Sequence, residues 1–258
     1  MENARVLFLS DFHLGIPNYE ESRIREQKII DLIELHLPHL EHLYLVGDLF
    51  DFWFEYKHVV PKGFLRLLGA LTKVADKGIP ISIFKGNHDI WMWDYFEKEL
   101  NATIYTHHLD VSHFGHSLHI HHGDGLGPGD KGYKFIKKIF HSPFFQWMFR
   151  WLHPDVGVGI ANYMSRKSSE KNRDKDHHFL GTENEWLIDY CKETLSKKQY
   201  DYLIFGHRHL PIECRFPNHN ATYFNLGDWL KHESYGVLTP EGFKLVSLNT
   251  PPVVCQVD

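Results

Sequence analysis

Five short apolar runs recur along the chain, and each ends in a cluster of carboxylate, imidazole or amide side chains. Val6 to Leu9 leads into Asp11 and His13, Leu43 to Val46 into Gly47 and Asp48, and Ile81 to Phe84 into Gly86, Asn87, His88 and Asp89. Leu118 to Ile120 leads into His121, His122, Gly123 and Asp124, and Tyr202 to Phe205 into Gly206, His207, Arg208 and His209. Short runs without polar alternation predict buried parallel strands. Ligands of open α/β sheets bind just beyond the carboxyl ends of the strands, so the five tips are expected to meet at one crevice.

Between the first two runs, Ile24, Ile29, Ile30, Leu32, Ile33 and Leu37 recur among charges, which predicts an amphipathic helix over Ser22 to Leu37 that stops before Pro38. Phe64 to Val74 repeats the pattern, and Gly78-Ile79-Pro80 breaks it ahead of the third run. Strand, helix and strand make a βαβ unit, hence a parallel sheet with both faces covered. From Thr103 the pattern changes to TIY, LDVSHF and SLHIHH, read as antiparallel strands of a second sheet. Asp201 to Phe205, Thr222 to Leu226, Ser234 to Leu238 and Phe243 to Leu248 are also strand-like. The fold class expected is α/β, with two sheets face to face and helices outside.

Residues 131 to 175 read as a helical insertion within one domain spanning 1 to 258. The insertion holds ten Lys/Arg against three Asp/Glu, a local balance of +7 in a chain whose net charge is -5. Its first part, KGYKFIKKIFHSPFFQWMFRWL, carries eight aromatic residues and no acid. A basic, aromatic, amphipathic helix suits contact with lipid or a membrane surface, whereas the plainer reading is a hairpin packed on the domain. Beside a strand-tip site, a lid over an apolar, anionic substrate is the better expectation.

The acidic balance argues against a nucleic-acid partner, and no obligate protein partner is implied. Cys191, Cys214 and Cys255 are few and widely spaced, which suits a reducing compartment without a disulfide framework. The opening MENARVLFLS reads as the first strand and not as a signal peptide, and no window approaches the ~18 to 20 apolar residues of a membrane span. A cytoplasmic protein is expected, touching the inner membrane peripherally at most.

The strand-tip donors are nitrogen and oxygen without thiolate, a mixture that suits Mn, Fe or Zn better than Mg or Ca. There are more of them than one ion needs. Two ions sharing a carboxylate would use them, and such pairs serve displacement at phosphorus. Asp48 is placed to be the shared ligand, and glycines beside the donors let backbone pass close to metal and phosphate. Asp51 and Asp124 either orient ligands from behind or cap turns, and Arg208 points to phosphate or to solvent. Trp53 and Phe54 read as core or pocket wall, and His58, His107, His108, His177 and His178 as solvated.

The series DFH, GDLFD, GNHD, HHGD and GHRH, from Asp11 to His209, resembles that of the calcineurin-like metallophosphoesterases. The resemblance implies a β-sandwich flanked by helices (αββα) with two divalent ions, Mn²⁺ ahead of Fe or Zn. Asp11, His13, Asp48 and His209 would hold one ion; Asp48, Asn87, His122 and His207 would hold the other. A hydroxide held by both would attack phosphorus, with His88 at the leaving oxygen. Within that superfamily the chain is most similar to the UDP-2,3-diacylglucosamine pyrophosphohydrolases of lipid A synthesis, which share the GDLFDFW segment and a helical lid. That implies release of UMP and 2,3-diacylglucosamine 1-phosphate from a lipid-linked nucleotide sugar. Substrate contacts would come from Asn87, His88, Asp130, Arg166, Ser168, Asn172, Lys175 and His207. The best-known members carry Arg where this chain has His88, which a bidentate phosphate contact would feel. The alternative is a relative acting on another UDP-sugar, nucleotide or phosphodiester.

Overall fold

The computed structural model describes residues 4–127, 139–140, 142–161, 163 and 178–257. Successive strand residues face opposite ways, and in β1 (Arg5–Leu9) that alternation sets the layers. Val6 and Phe8 pack with Tyr44, Leu118, Ile204 and Phe224 between two sheets. Leu7 and Leu9 pack on the opposite side with Ile29, Ile33, Leu67 and Leu71. Every position of the apolar part of β1 is therefore buried, which is why it reads as a continuous run.

β2 (Leu40–Leu45), β3 (Ile81–Phe84) and β4 (Thr103–Tyr105) extend the first sheet in parallel. β10 (Ser234–Thr239) and β11 (Gly242–Ser247) close its other side antiparallel, in the order β11-β10-β1-β2-β3-β4. The second sheet comprises β5 (Leu109–His113), β6 (His116–His121), β7 (Tyr202–Phe205), β8 (Pro211–Phe216), β9 (Ala221–Leu226) and β12 (Val253–Gln256), in the order β12-β8-β9-β7-β6-β5. β6, β7 and β9 run parallel there.

Helix α1 (Tyr19–His36) begins where Asn18 Oδ1 accepts the Glu21 N–H at 2.9 Å, three residues before the periodicity becomes visible. With α2 (Leu65–Asp76) it covers the first sheet. The second sheet is covered by Leu187, Ile188, Cys191 and Leu195 of α5 (Trp186–Lys197), which pack on Leu203, Phe205 and Tyr223. The result is the expected α/β sandwich of two sheets between helices. Within the predicted insertion lie α4 (Pro143–Arg150) and helical residues 154–161.

Two expectations are corrected. Thr103–Tyr105 belongs to the first sheet, not the second, because the short helix α3 (Tyr95–Leu100) supplies the crossover that returns it parallel to β3. Six residues are too few for a helical period to show. Cys214 and Cys255, read as unpaired, form a disulfide. Parallel pairing of β12 with β8 sets these two residues opposite each other, a register no spacing reveals.

Trp53 is fully buried, stacked on Phe50 at 4.4 Å and 5.1 Å from Phe96. Trp53→Ala should lower the unfolding free energy by about 3–5 kcal/mol. A urea titration showing less than about 1 kcal/mol of loss would contradict this packing.

Candidate metal centre

The strand tips meet at one rim. Asp11 and His13 follow β1, Asp48 follows β2, Asn87 and His88 follow β3, His122 follows β6, and His207 and His209 follow β7. Asp11, His13, Asp48 and His209 each present a donor atom within 4.8 Å of the others, and Asp48, His122 and His207 form a second such group. Asp48 belongs to both. His13 Nε2 and His209 Nε2 lie 3.1 Å apart, and they stand 3.8 and 3.2 Å from Asp11 Oδ1. His122 Nε2 is 3.4 Å from Asp48 Oδ2 and 3.4 Å from Asn87 Oδ1.

The backbone here is unusual. Asp11, His13, Asp48, His207 and His209 all have left-handed φ, from 44° to 66°. Each such non-glycine residue costs on the order of 1–3 kcal/mol unless its surroundings impose it, and such strain concentrates at functional sites. The amides of Asp11 and His13 donate to Gly47 O and Asp48 O, each at 3.0 Å, tying the first loop to the second. The His207 amide donates to the Asp11 carboxylate at 3.0 Å. At Gly47, with φ of 90°, a Cβ would strike the His122 ring. At Gly86 it would strike the carboxylate and amide of Asp48.

The electrostatics favour cations. Burial alone would raise the Asp11 carboxyl, yet hydrogen bonds with His13 and His209 hold it well below the carboxylate range. Burial opposes charge on His122 too, but the Asp48 carboxylate raises it to about 10. His207 goes the other way, pushed down to about 4 by burial and by His122. Burial and the Asp48 charge push the Asp89 carboxyl up to about 7, where it accepts the amides of Gly86 and Leu49 at 2.8 Å. Among the described residues Asp48 Oδ2 is buried without a hydrogen-bond partner, and a buried carboxylate oxygen facing imidazole nitrogens has the chemistry of a cation ligand. The donor set fits two divalent ions.

Behind the donors sit groups that aim them. His122 Nδ1 donates to Val46 O at 2.8 Å, which turns Nε2 toward Asp48 and Asn87. Asp51 Oδ1 lies 3.7 Å from His13 Nδ1 and 3.5 Å from His88 Nδ1, which also faces Asp51 O at 3.0 Å. Asp228 Oδ2 stands 4.0 Å from His209 Nδ1. Asp228 was not foreseen, although Phe224-Asn225-Leu226-Gly227-Asp228 repeats the signal of a strand ending in Gly-Asp. Asp124 is buried two residues beyond His122. Arg208 does not point to solvent: its guanidinium is buried, paired with both Glu185 carboxylate oxygens at 3.0 Å and donating to His178 O.

Beside the centre, Phe54, Ile90 and Trp91 pack with Phe52, Phe140 and Phe149, so the insertion leans on the loops that follow β2 and β3. Trp53 is core and Phe54 belongs to this wall. The outer face of α4 exposes Phe144, Trp147 and Met148. Asp130, Arg166, Ser168, Asn172 and Lys175 lie outside the described residues.

A sandwich of this topology with a rim of Asp, His and Asn donors defines a class, and the sequence matches it: residues 4–211 fit the family model of the calcineurin-like phosphoesterases. The chain belongs to that family and is a metal-dependent hydrolase. It is 34% identical over 246 residues to the UDP-2,3-diacylglucosamine hydrolase of Porphyromonas gingivalis, covering 91% of this chain and 94% of that protein. It is 27% identical over 243 residues to the protein of the same name from Yersinia pseudotuberculosis, covering 93% and 98%. Among solved structures, an archaeal phosphodiesterase aligns with a TM-score of 0.49 at 13% identity, over 95% of this chain and 99% of that one.

Proposed function

We propose that the chain hydrolyses the pyrophosphate of UDP-2,3-diacylglucosamine, releasing UMP and 2,3-diacylglucosamine 1-phosphate. The observation that carries the reaction is Asp48, a buried carboxylate common to two donor groups. The substrate rests on two similar proteins that carry that name over nearly their whole length. Asp11, His13, Asp48 and His209 hold one cation and Asp48, Asn87, His122 and His207 the other. Their mixed nitrogen and oxygen donors suit Mn²⁺, with Fe or Zn as substitutes. When bound, such a pair supplies Lewis acidity to the phosphoryl oxygens and makes water nucleophilic at neutral pH.

The protein's own groups do the rest. His88 is partly open at 17% exposure and its Nδ1 is engaged by Asp51. That contact orients the ring, and the imidazole is the group that hydrogen bonds to or protonates the leaving oxygen. Phe52, Trp91, Phe140 and Phe149 form an apolar wall beside the centre that excludes water and accepts acyl chain. The exposed aromatics of α4 suit contact with the cytoplasmic face of the inner membrane. Among the described residues no helix is long and apolar enough to cross it. Asp130, Arg166, Ser168, Asn172 and Lys175 contact the sugar and phosphates. The whole chain acts as one domain with the helical insertion at 131–175 as its lid.

Purified protein supplied with Mn²⁺ should release UMP from UDP-2,3-diacylglucosamine, read by mass spectrometry. It should prefer this substrate over an unacylated UDP-sugar by at least about 10² in kcat/KM, since burying four methylenes already contributes about 3 kcal/mol. Equal turnover of the two would remove the lipid substrate; no UMP with any divalent metal would remove the reaction.

A further inference from the structure

We infer that Arg25 of α1 is a positioning residue of the metal centre, which holds from behind the loop that carries Asp11 and His13. The inference rests on the two-cation reading above and adds to it a residue that binds neither cation nor substrate.

Every backbone polar group of a buried loop needs a partner, and the partners of residues 11–16 divide into two sets. The amides of Asp11, His13 and Leu14 donate to the carbonyls of Gly47, Asp48 and Leu49. On the carbonyl side, Asp11 O accepts from the Trp229 amide and Leu14 O from the Asp51 amide. Of the remaining carbonyls, those of Phe12, His13 and Ile16 accept from one side chain, and His13 O also takes the Ile16 amide at 3.5 Å. Arg25 Nε donates to Phe12 O at 2.7 Å, and its Nη2 donates to His13 O at 2.8 Å and to Ile16 O.

That side chain is buried, with 7% exposure, on the face of α1 where Ser22, one turn earlier, accepts the Gly15 amide at 2.8 Å. The carboxylates of Asp228, Glu21 and Asp51 act on its charge. A planar fork fits such a cluster of carbonyls. Lysine, a point donor on a flexible stem, does not.

The held conformation is the strained one. Asp11 and His13 sit at φ of 53° and 44°, and with three carbonyls released the loop would relax toward ordinary φ. That relaxation would swing the His13 imidazole away from its place 3.1 Å from His209 Nε2. α1 itself is anchored independently by Ile29, Leu32 and Ile33 in the core and by its Asn18 cap. Asn87, His122 and His207 ride on other loops, none of them among the Arg25 acceptors. Removing Arg25 should therefore weaken one cation site and spare the other.

The test is Mn²⁺ titration of the full chain by calorimetry, with electron paramagnetic resonance of the loaded protein, in wild type, Arg25→Lys and Arg25→Met. Wild type should take up two ions. Both variants should bind one of them about 10- to 100-fold more weakly, the usual effect of losing an outer-shell partner. The second ion should bind within about threefold of wild type, and the spectrum of a coupled pair should give way to that of a lone ion. If folded variants bind two ions with wild-type affinity while only their melting temperature falls, Arg25 is structural and the inference is overturned. If Arg25→Met fails to fold, Arg25→Lys decides, since it keeps charge and stem. If neither folds, Arg25 determines the fold and the inference fails. A wild type that binds fewer than two ions would instead defeat the two-cation reading.

Discussion

Asp48→Asn should reduce phosphohydrolase activity by at least about 10³-fold and lower the number of Mn²⁺ ions bound. Asparagine keeps the size of the side chain but offers one acceptor oxygen where the carboxylate offers two. In this structure Asp48 Oδ1 accepts the His88 amide at 2.9 Å, and Oδ2 faces His122 and His13 at 3.4 and 3.8 Å. One oxygen is thus hydrogen-bonded and the other faces both donor groups. A loss of 10³ corresponds to about 4 kcal/mol, the scale of charge stabilisation that a Lewis acid supplies. Calorimetric titration beside a rate measurement separates the two effects. A variant that retained two ions and a tenth of the activity would show that Asp48 is not shared.

Gly86→Ala should be nearly as damaging, with the rest of the fold intact. Gly86 has an ordinary φ, so alanine brings no backbone penalty, but its methyl group would overlap the Asp48 carboxylate and amide. Overpacking of this kind typically costs about 1–3 kcal/mol. Relief is available only by moving Asp48, so we expect at least a 10²-fold fall in activity, with a circular dichroism spectrum like that of wild type. Normal turnover in Gly86→Ala would contradict this close approach of the third strand tip to Asp48.

Much of this architecture was legible in the chain. The apolar runs at β1, β2, β3, β6 and β7 stood out because strands covered on both faces have no polar alternation. Their tips stood out because Asp, His and Asn are unusual there. The rest was hidden for physical reasons. Pairing partners are set by crossovers and not by the strand itself, so Thr103–Tyr105 changed sheets once α3 was seen. The approach of Cys214 to Cys255 depends on register between strands 41 residues apart. Arg208 lies between two donors in sequence, yet left-handed backbone on both sides turns His207 and His209 inward and sends the guanidinium to Glu185. Arg25 looks like a solvated charge on an amphipathic helix, and only the carbonyls of the loop beneath it show otherwise.

β1 is bordered by β2 on one side and by β10 on the other, and His13 meets His209 across 196 positions of chain. A ribosome that has made three quarters of this polypeptide has therefore produced neither β10, the neighbour of β1, nor a complete set of donors. The donor set is complete only after most of the chain has emerged, so a truncated product would carry no complete centre.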